Sequence, residues 1–466
     1  CHSLSRILRK SPNDIADEIT LDLSLRTSNI AHVSSINGFV NFKANSSWLS
    51  NQLSLINSDP NLGVKSENRK IIVIDYSSPN VAKMMHVGHL RSTVIGDSLA
   101  RMLEFKGHDV RRENHIGDWG TPFGMLIEHF IECEQVDVEE IDLNTFYKHA
   151  RNKFDSDADF ASRSRERVVK LQSREDETIE LWQQLVNYSL IHFNQVYEQL
   201  GVLLNDNDLA GESSYEELLP DVVERLRNKN MIVESKGALV VFPDGWVNRD
   251  DEPLPLIIRK GDGGYNYATS DLACIINRVD TIGSTEFLYV VGAEQSQHFD
   301  MVFQVARDAG FMDDSIKAVH VTFGLVLRPD GKKLASREGK AITLKNLLDE
   351  SVSRAKKLIQ EKNPNMHESE IDEISSMIGI GAVKYADLSI DRNKNYIFDW
   401  DKMLSFDGNT APYLQYAHAR INSIFRKASI PKENFDSIEI SLINDHEESL
   451  SRAIIGFSES LDEAIG

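Results

Sequence analysis

Two histidines three positions apart, His86 and His89, are the residues whose types and spacing point most directly to chemistry. Residues at positions i and i+3 share one face of a helix. Both stand at the predicted start of a helix, where unpaired backbone N–H groups favour phosphate. The pair therefore predicts hydrogen-bond donation to phosphate groups. A hydrogen-bonded surface pair and a metal pair are the alternatives. Zinc is disfavoured because HExxH is absent and no cysteine lies nearby, so we predict no metal site.

The elements that must position these histidines form a βαβ unit. Residues 71–76, IIVIDY, are a predicted buried strand, and HVGH begins a helix of about five turns. Gly107 ends this helix, and a second strand begins near Val110. This is one half of a nucleotide-binding α/β fold. Neither GxGxxG nor GxxxxGK[ST] occurs in this stretch, so the histidines must do what glycine-rich backbone does elsewhere.

Three sequence blocks carry a family resemblance. HVGH resembles the HIGH signature of class I aminoacyl-tRNA synthetases, while SSPNVAK before it and NHIGDWG after it resemble arginyl-tRNA synthetases in particular. The resemblance implies that ATP and L-arginine form arginyl-adenylate and that the arginyl group then passes to tRNA(Arg). It also implies Mg²⁺ to screen the phosphates. Further matches run from about Gly38 to the last residue.

The second class I signature, KMSKS, is altered here to GKKLASREGKAITL, residues 331–344. By resemblance, Lys333 takes the first lysine of the signature, and Ser336 stands where the second, catalytic lysine is missing. The resemblance assigns that missing charge to Lys83, just before HVGH. Further residues are assigned to ATP by the same resemblance: Gly88, His298 and Arg337 beside His86, His89 and Lys333. We interpret Lys332 and Lys340 as merely solvated.

An arginine substrate needs its guanidinium paired with carboxylates in a dry pocket. Tyr267 and Asp271 are spaced i, i+4 and so share a helical face. By resemblance, Asp271 pairs with the guanidinium, Tyr267 packs on it and Glu212 is a second carboxylate. Three amides match family positions that hold the α-amino and α-carboxyl groups: Asn80, Asn114 and Gln295. Asp118 has two open roles, ligand contact or turn cap, and Trp119 is expected in the core.

The segment NTAPYLQYAHARINSI resembles the opening of a helical anticodon-binding domain. Four of its residues are predicted to contact tRNA by stacking or charge: Tyr413, Tyr416, His418 and Arg420. Periodic aromatic residues in a helix also occur in cores, which is the alternative.

Composition limits the class of protein. Among 466 residues, 72 acidic and 51 basic side chains give a net charge of −21. That charge argues against a broad basic nucleic-acid surface and leaves room for a local basic track. Three scattered cysteines without CxxC indicate a reducing compartment, so we expect a cytoplasmic protein, with an organellar form still open. No apolar run is long enough to span a membrane.

The predicted fold is α/β. We expect four parts along the chain: residues 1–60 as a partial α+β N-terminal domain, 66–350 as a Rossmann-type catalytic domain with a helical insertion at about 136–250, 351–404 as a helical connection, and 405–466 as the start of an all-α anticodon-binding domain. The chain begins at Cys1 and stops within an amphipathic pattern, so we interpret it as a fragment whose own activity the sequence leaves open. We expect a monomer.

Two rival functions are considered. One is a class I synthetase for another amino acid, such as cysteine or glutamate, against which the carboxylates Asp271 and Glu212 favour a cationic substrate. The other is a catalytically dead paralogue that binds RNA or acts as a scaffold, to which the missing signature lysine lends support. Five residues kept together argue against it: His86, His89, Lys83, Asn114 and Asp271.

Overall fold

The computed structural model describes residues 1–133, 142–332, 334, 343–430 and 439–466. Two compact units divide the chain. The first comprises Cys1–Glu67, Phe105–Gly107 and Arg420–Gly466, and the second comprises Asn68–Glu104 and His108–Ala419. Among the described residues, no helix combines the length and the apolar character needed to cross a membrane.

Strands and helices are numbered along the chain. The strands are β1 (Ala31–Ile36), β2 (Phe39–Ala44), β3 (Ile71–Asp75), β4 (Asp109–Glu113), β5 (Val233–Ser235), β6 (Ala238–Val241), β7 (Leu256–Arg259), β8 (Glu286–Val290), β9 (Lys317–Val321), β10 (Val326–Leu327) and β11 (Tyr396–Ile397). The helices are α1 (His2–Leu8), α2 (Pro12–Arg26), α3 (Ser46–Ser58), α4 (Val87–Phe105), α5 (Pro122–Glu132), α6 (Leu143–Ser156), α7 (Ala158–Gln172), α8 (Asp176–Leu200), α9 (Leu219–Asn228), α10 (Tyr267–Ile276), α11 (Ser296–Asp308), α12 (Leu344–Lys362), α13 (Glu368–Leu388), α14 (Trp400–Met403), α15 (Ala411–Ala428), α16 (Asp445–Ile455) and α17 (Phe457–Ile465).

A parallel sheet in the order β4-β3-β8-β9 is the centre of the second unit. Strand β3 is buried because Ile72, Val73 and Ile74 are all apolar, as a strand covered on both faces requires. The predicted βαβ unit is confirmed: β3 leads to α4 and then to β4. Gly107 follows α4 with a φ of 91°, a conformation that glycine adopts without strain.

A buried ion cluster ties the ends of the first two parallel strands together. Arg278, which is fully buried, donates to Asp75 Oδ2 at 2.7 Å and to Glu113 Oε2 at 2.5 Å. The guanidinium also lies 4.6 Å from the ring centre of Tyr289. A buried charge is tolerated only when it is paired in this way. The cluster therefore fixes the carboxyl ends of β3 and β4, from which two loops of the site depart.

Helices α6 to α9 fill most of the segment expected to be helical, and β5, β6 and β7 form a three-stranded antiparallel sheet after them. The domain boundaries themselves stay a prediction.

The first unit holds the antiparallel hairpin β1–β2, and α3 follows it along the chain. Asn45 is the N-cap residue, while the Ser46 hydroxyl lies within the helix and donates to Glu448 Oε1 at 2.6 Å.

Candidate active site

The site lies where the strand order changes direction. From β3 the chain crosses to β4 on one side and later returns to β8 on the other, so the carboxyl ends of β3 and β8 adjoin. Ligands of open α/β sheets bind at such a point. The loop of residues 76–86 leaves β3 there, and residues 291–295 leave β8 beside it.

His86 and His89 are both held with one ring nitrogen pointing back to the chain. His89 Nδ1 accepts the His86 backbone N–H at 3.0 Å, and His86 Nδ1 accepts the Gly88 backbone N–H at 3.0 Å. This hydrogen-bond network assigns the proton of each neutral ring to Nε2. The ring centres lie 4.0 Å apart. The pair therefore offers two N–H donors.

Burial lowers the pKa of both imidazoles. It takes the pKa of His89 to about 3, with the neighbouring His86 contributing, and Lys83 adds to the lowering at His86. Both rings are thus neutral at pH 7 and act as donors rather than as charges. Gly88 leaves room for the first ring: a Cβ there would lie 2.6 Å from His86 Cε1, so any other residue would shift the His86 side chain.

Lys83 supplies the positive charge of this region. Its ammonium lies 4.4 Å from the ring centre of Tyr147. With both histidines it lines a small cavity of about 230 Å³. Thr343 closes this cavity, and the next residue, Leu344, donates its N–H to Met85 O at 2.8 Å.

The second signature is anchored beside the first at its far end, where Thr343 forms a bridge with His86. The residues assigned within it, Lys333, Ser336 and Arg337, and also Lys340, lie outside the described residues. Lys332 is exposed, as a solvated lysine would be.

A large cavity of about 630 Å³ adjoins the small one and contains several residues assigned to arginine. Asn80, Glu212 and Tyr267 line it, and Asn80 and Lys83 line both cavities. Burial raises the pKa of Glu212 to about 7. Burial and the negative charges of Asp118 and Asp271 raise this pKa. The charge of His115 lowers it by a smaller amount.

Asp271 is hydrogen-bonded to His298. His298 Nε2 lies 2.6 Å from Asp271 Oδ2, and both side chains are largely buried, at 27% and 17% exposure. Burial alone would lower the pKa of His298, but the hydrogen bond and charge of Asp271 outweigh it and the pKa is raised. His298, assigned to ATP, is thus in direct contact with Asp271, assigned to the guanidinium.

Two polar residues of the site have their side chains bound within the protein. Asn114 is buried: its Oδ1 accepts the Ser78 N–H at 3.1 Å, and its Nδ2 donates to Tyr197 Oη at 3.0 Å. Both carboxylate oxygens of Asp118 accept from Ser213, 95 positions along the chain, a contact that is neither a ligand contact nor a cap of its own turn.

The remaining assigned residues are placed as follows. Gln295 is exposed at the start of α11, and Trp119 is half-buried, lining the large cavity instead of lying in the core. No group of three His, Cys, Asp or Glu side chains within the described ranges is placed to hold a metal ion.

Known proteins resemble this chain over most of its length. A family described as "tRNA synthetases class I (R), catalytic domain" matches residues 52–400. The arginine–tRNA ligase of Thermobifida fusca is 50% identical over 434 residues, which is 92% of this chain and 75% of that protein. The chain belongs to the class I arginyl-tRNA synthetase family. The arginine–tRNA ligase of Cellvibrio japonicus is 45% identical over 466 residues, 98% of this chain and 80% of its own length.

Solved structures of the family share the fold. The arginyl-tRNA synthetase of Plasmodium falciparum matches with a TM-score of 0.80 and 29% identity, covering 98% of this chain and 78% of that one. The Thermus thermophilus enzyme matches with a TM-score of 0.75 at 22% identity, covering 100% and 81%. The predicted α/β fold class and the family resemblance are both confirmed.

A second family, described as "DALR anticodon binding domain", matches residues 414–466 of this arginyl-tRNA synthetase family member. The four residues predicted to contact tRNA are all exposed on α15: Tyr413, Tyr416, His418 and Arg420. Tyr413 and Tyr416 are 47% and 51% exposed, so the core alternative is wrong for both. Their contact with tRNA stays a prediction.

Sequence reasoning missed several residues that shape the site. Tyr197 and Ser189 on α8 bind the loop after β3, and Trp182 of the same helix donates its Nε1–H to Asp118 O at 2.7 Å. The sequence does offer one sign of these contacts. Polar side chains lie on the mainly apolar, buried face of this helix, where each needs a hydrogen-bond partner.

Proposed function

We propose that this chain attaches L-arginine to tRNA(Arg) at the expense of ATP. In the first step, the arginine α-carboxylate attacks the α-phosphorus of ATP, forming arginyl-adenylate and releasing pyrophosphate. In the second step, the 2′-hydroxyl of the terminal adenosine of tRNA takes the arginyl group and AMP leaves. The family to which the chain belongs and the pairing of a donor-lined cavity with a carboxylate-lined one support this proposal.

One observation carries the proposal: the two cavities share Asn80 and Lys83. The small cavity offers the N–H donors and the ammonium that a phosphate chain needs, with Gly88 leaving room for the His86 ring. The large cavity offers carboxylates for a guanidinium. A carboxylate of bound arginine therefore meets the α-phosphate at the shared wall, where Lys83 opposes the charge that gathers in the transition state.

We assign the guanidinium to Glu212 and Tyr267, which line the large cavity, and to Asp271, which is hydrogen-bonded to His298 and does not line it. Asn80 and Gln295 hold the α-amino and α-carboxyl groups. Asn114 acts on arginine indirectly, because its amide binds the backbone of the loop that carries Asn80. His298 lies on the ATP side, and Lys333 and Arg337 complete the contacts to phosphate.

Mg²⁺ fits this site only when it is bound to the phosphates of ATP. The lining of the small cavity contains no carboxylate, the ligand that Mg²⁺ prefers in proteins. The described residues thus do not form a protein-held Mg²⁺ site. We propose that the ion arrives bound to the phosphates of ATP, and we assign no step to it.

Aminoacylation of total tRNA by the full-length protein, with each of the twenty amino acids in turn, tests the proposal. Only arginine should become attached to tRNA. Attachment of cysteine or glutamate would identify another class I specificity, and attachment of none would favour the catalytically dead paralogue.

A further inference from the structure

The loop that carries Asn80 and Lys83 has an unfavourable backbone. Three of its non-glycine residues have positive φ angles: Ser77 at 72°, Ser78 at 47° and Ala82 at 60°. Side chains bearing a Cβ rarely adopt this region, because the Cβ approaches the backbone too closely. Such strain persists only where surrounding contacts hold it, and it concentrates at functional sites.

Helix α8 holds this loop at both of its strained ends. The Tyr197 hydroxyl lies 2.8 Å from Ser77 Oγ, and Ser189 Oγ accepts the Ala82 backbone N–H at 2.9 Å. Tyr197 and Ser189 are both buried and lie eight positions apart, so they share one face of the helix. Lys83 directly follows the residue that Ser189 holds.

Tyr197 also connects the loop to the end of β4. Its oxygen accepts from Asn114 Nδ2 at 3.0 Å, and Asn114 Oδ1 accepts the Ser78 N–H. Burial raises the pKa of the Tyr197 hydroxyl to about 12, so it keeps its proton and can serve both partners.

The network ends at the histidine pair. The Thr93 hydroxyl lies 2.9 Å from Ser77 Oγ and 2.7 Å from the carbonyl oxygen of His89. Packing alone does not require the hydroxyls of Tyr197 and Ser189. Phenylalanine and alanine would fill nearly the same space in this buried face, which also contains Leu185 and Phe193. A buried hydroxyl is costly unless it is hydrogen-bonded.

We propose that Tyr197 and Ser189 are positioning residues for adenylate formation. They hold the strained loop in the one conformation that presents Lys83 to the phosphates and Asn80 to arginine. This inference rests on the proposed function, in which Lys83 stabilises the transition state. The helix that supplies both hydroxyls lies within the insertion, far along the chain from the two strands whose loops it braces.

The test compares Tyr197→Phe with Tyr289→Phe in the full-length protein, by arginine-dependent pyrophosphate exchange in the presence of tRNA(Arg). Tyr289 is a matched control: it is equally buried, and its hydroxyl has no hydrogen-bond partner among the described residues. Tyr197→Phe should lower kcat at least about tenfold, as misplaced reacting groups do. Tyr289→Phe should stay near the wild-type rate. Ser189→Ala gives a second variant, with Ser351→Ala as its control, since Ser351 is also buried and bonds a backbone carbonyl.

A double-mutant cycle separates positioning from general destabilisation. If Tyr197 acts on kcat by presenting Lys83, adding Tyr197→Phe to Lys83→Ala should cause no further loss of kcat, and its effect through Asn80 should instead raise the KM for arginine. A full additional loss in the Lys83→Ala background would overturn the inference while leaving the proposed function intact. Equal rates for Tyr197→Phe and Tyr289→Phe would also overturn it. A Lys83→Ala variant of normal rate would remove Lys83 from the reaction and overturn the inference together with the role assigned to Lys83, while the arginine-dependent activity itself would stand.

Discussion

His298 Nε2 lies 2.6 Å from Asp271 Oδ2, so the histidine that we assign to ATP is hydrogen-bonded to the carboxylate that we assign to the guanidinium of arginine. Arginine that pairs with Asp271 must weaken this contact or share the carboxylate with it. In our assignment this residue pair therefore links the two substrates, and a cation bound at Asp271 changes the electrostatic environment of His298.

This pairing predicts that arginine lowers the pKa of His298. Asp271 raises that pKa against the opposing effect of burial. A guanidinium on Asp271 cancels its charge and leaves burial dominant, so the pKa should fall below its ordinary value of about 6.5. An NMR titration of the His298 ring, with and without saturating arginine, measures it. An unchanged or higher pKa in the presence of arginine would place the guanidinium elsewhere.

Replacing Asp271 by asparagine should weaken arginine binding and leave ATP binding intact. The change keeps the shape of the side chain and removes its charge, which for a buried pair costs roughly 2–5 kcal/mol. Isothermal titration calorimetry measures both affinities. Asp308→Asn, at the exposed end of α11, is the matched control and should behave like the wild type. Unchanged arginine affinity in Asp271→Asn would contradict the assignment.

Lys83→Ala should lower kcat by at least ~10²-fold, the scale of one lost transition-state contact, with little change in arginine affinity. The reason is that Ser336 leaves the second signature without its catalytic lysine and Lys83 is the ammonium beside the histidine pair. Lys332→Ala, which removes an exposed lysine, is the control. A near-normal kcat for Lys83→Ala would reject the assignment.

Arginine affinity should rise with pH around neutrality. Glu212 must be ionised to pair with a cation, and its pKa stands at about 7 in the free protein. About a tenth of it is ionised at pH 6 and about nine-tenths at pH 8, so the dissociation constant for arginine should drop roughly tenfold between them. Glu212→Gln should flatten this dependence. A wild-type dissociation constant that does not change over this range would exclude Glu212 from the pocket.

The sequence predicted the βαβ unit well because its signals are local. The apolar run of β3, the HVGH start of α4 and the terminating Gly107 all act within a few residues. The Tyr197–Ser77 contact joins residues 120 positions apart, and no periodicity reveals which hydroxyl a buried tyrosine will meet. The same reason hid the internal binding of the Asn114 amide. Sequence gives residue types at the site, whereas long-range packing decides which of them face the cavity.

Pyrophosphate–ATP exchange by the full-length protein, run with each amino acid in the presence and absence of tRNA(Arg), tests the central claim most directly. Among the amino acids only arginine should drive exchange, and exchange should require tRNA. In our assignment the second signature lacks one lysine, and tRNA binding shifts the enzyme toward its active state. Exchange should also fall as salt weakens tRNA binding to a protein of net charge −21. Rapid exchange with arginine in the absence of tRNA would refute the coupling. Exchange driven by another amino acid, or none with arginine and tRNA together, would contradict the account as a whole.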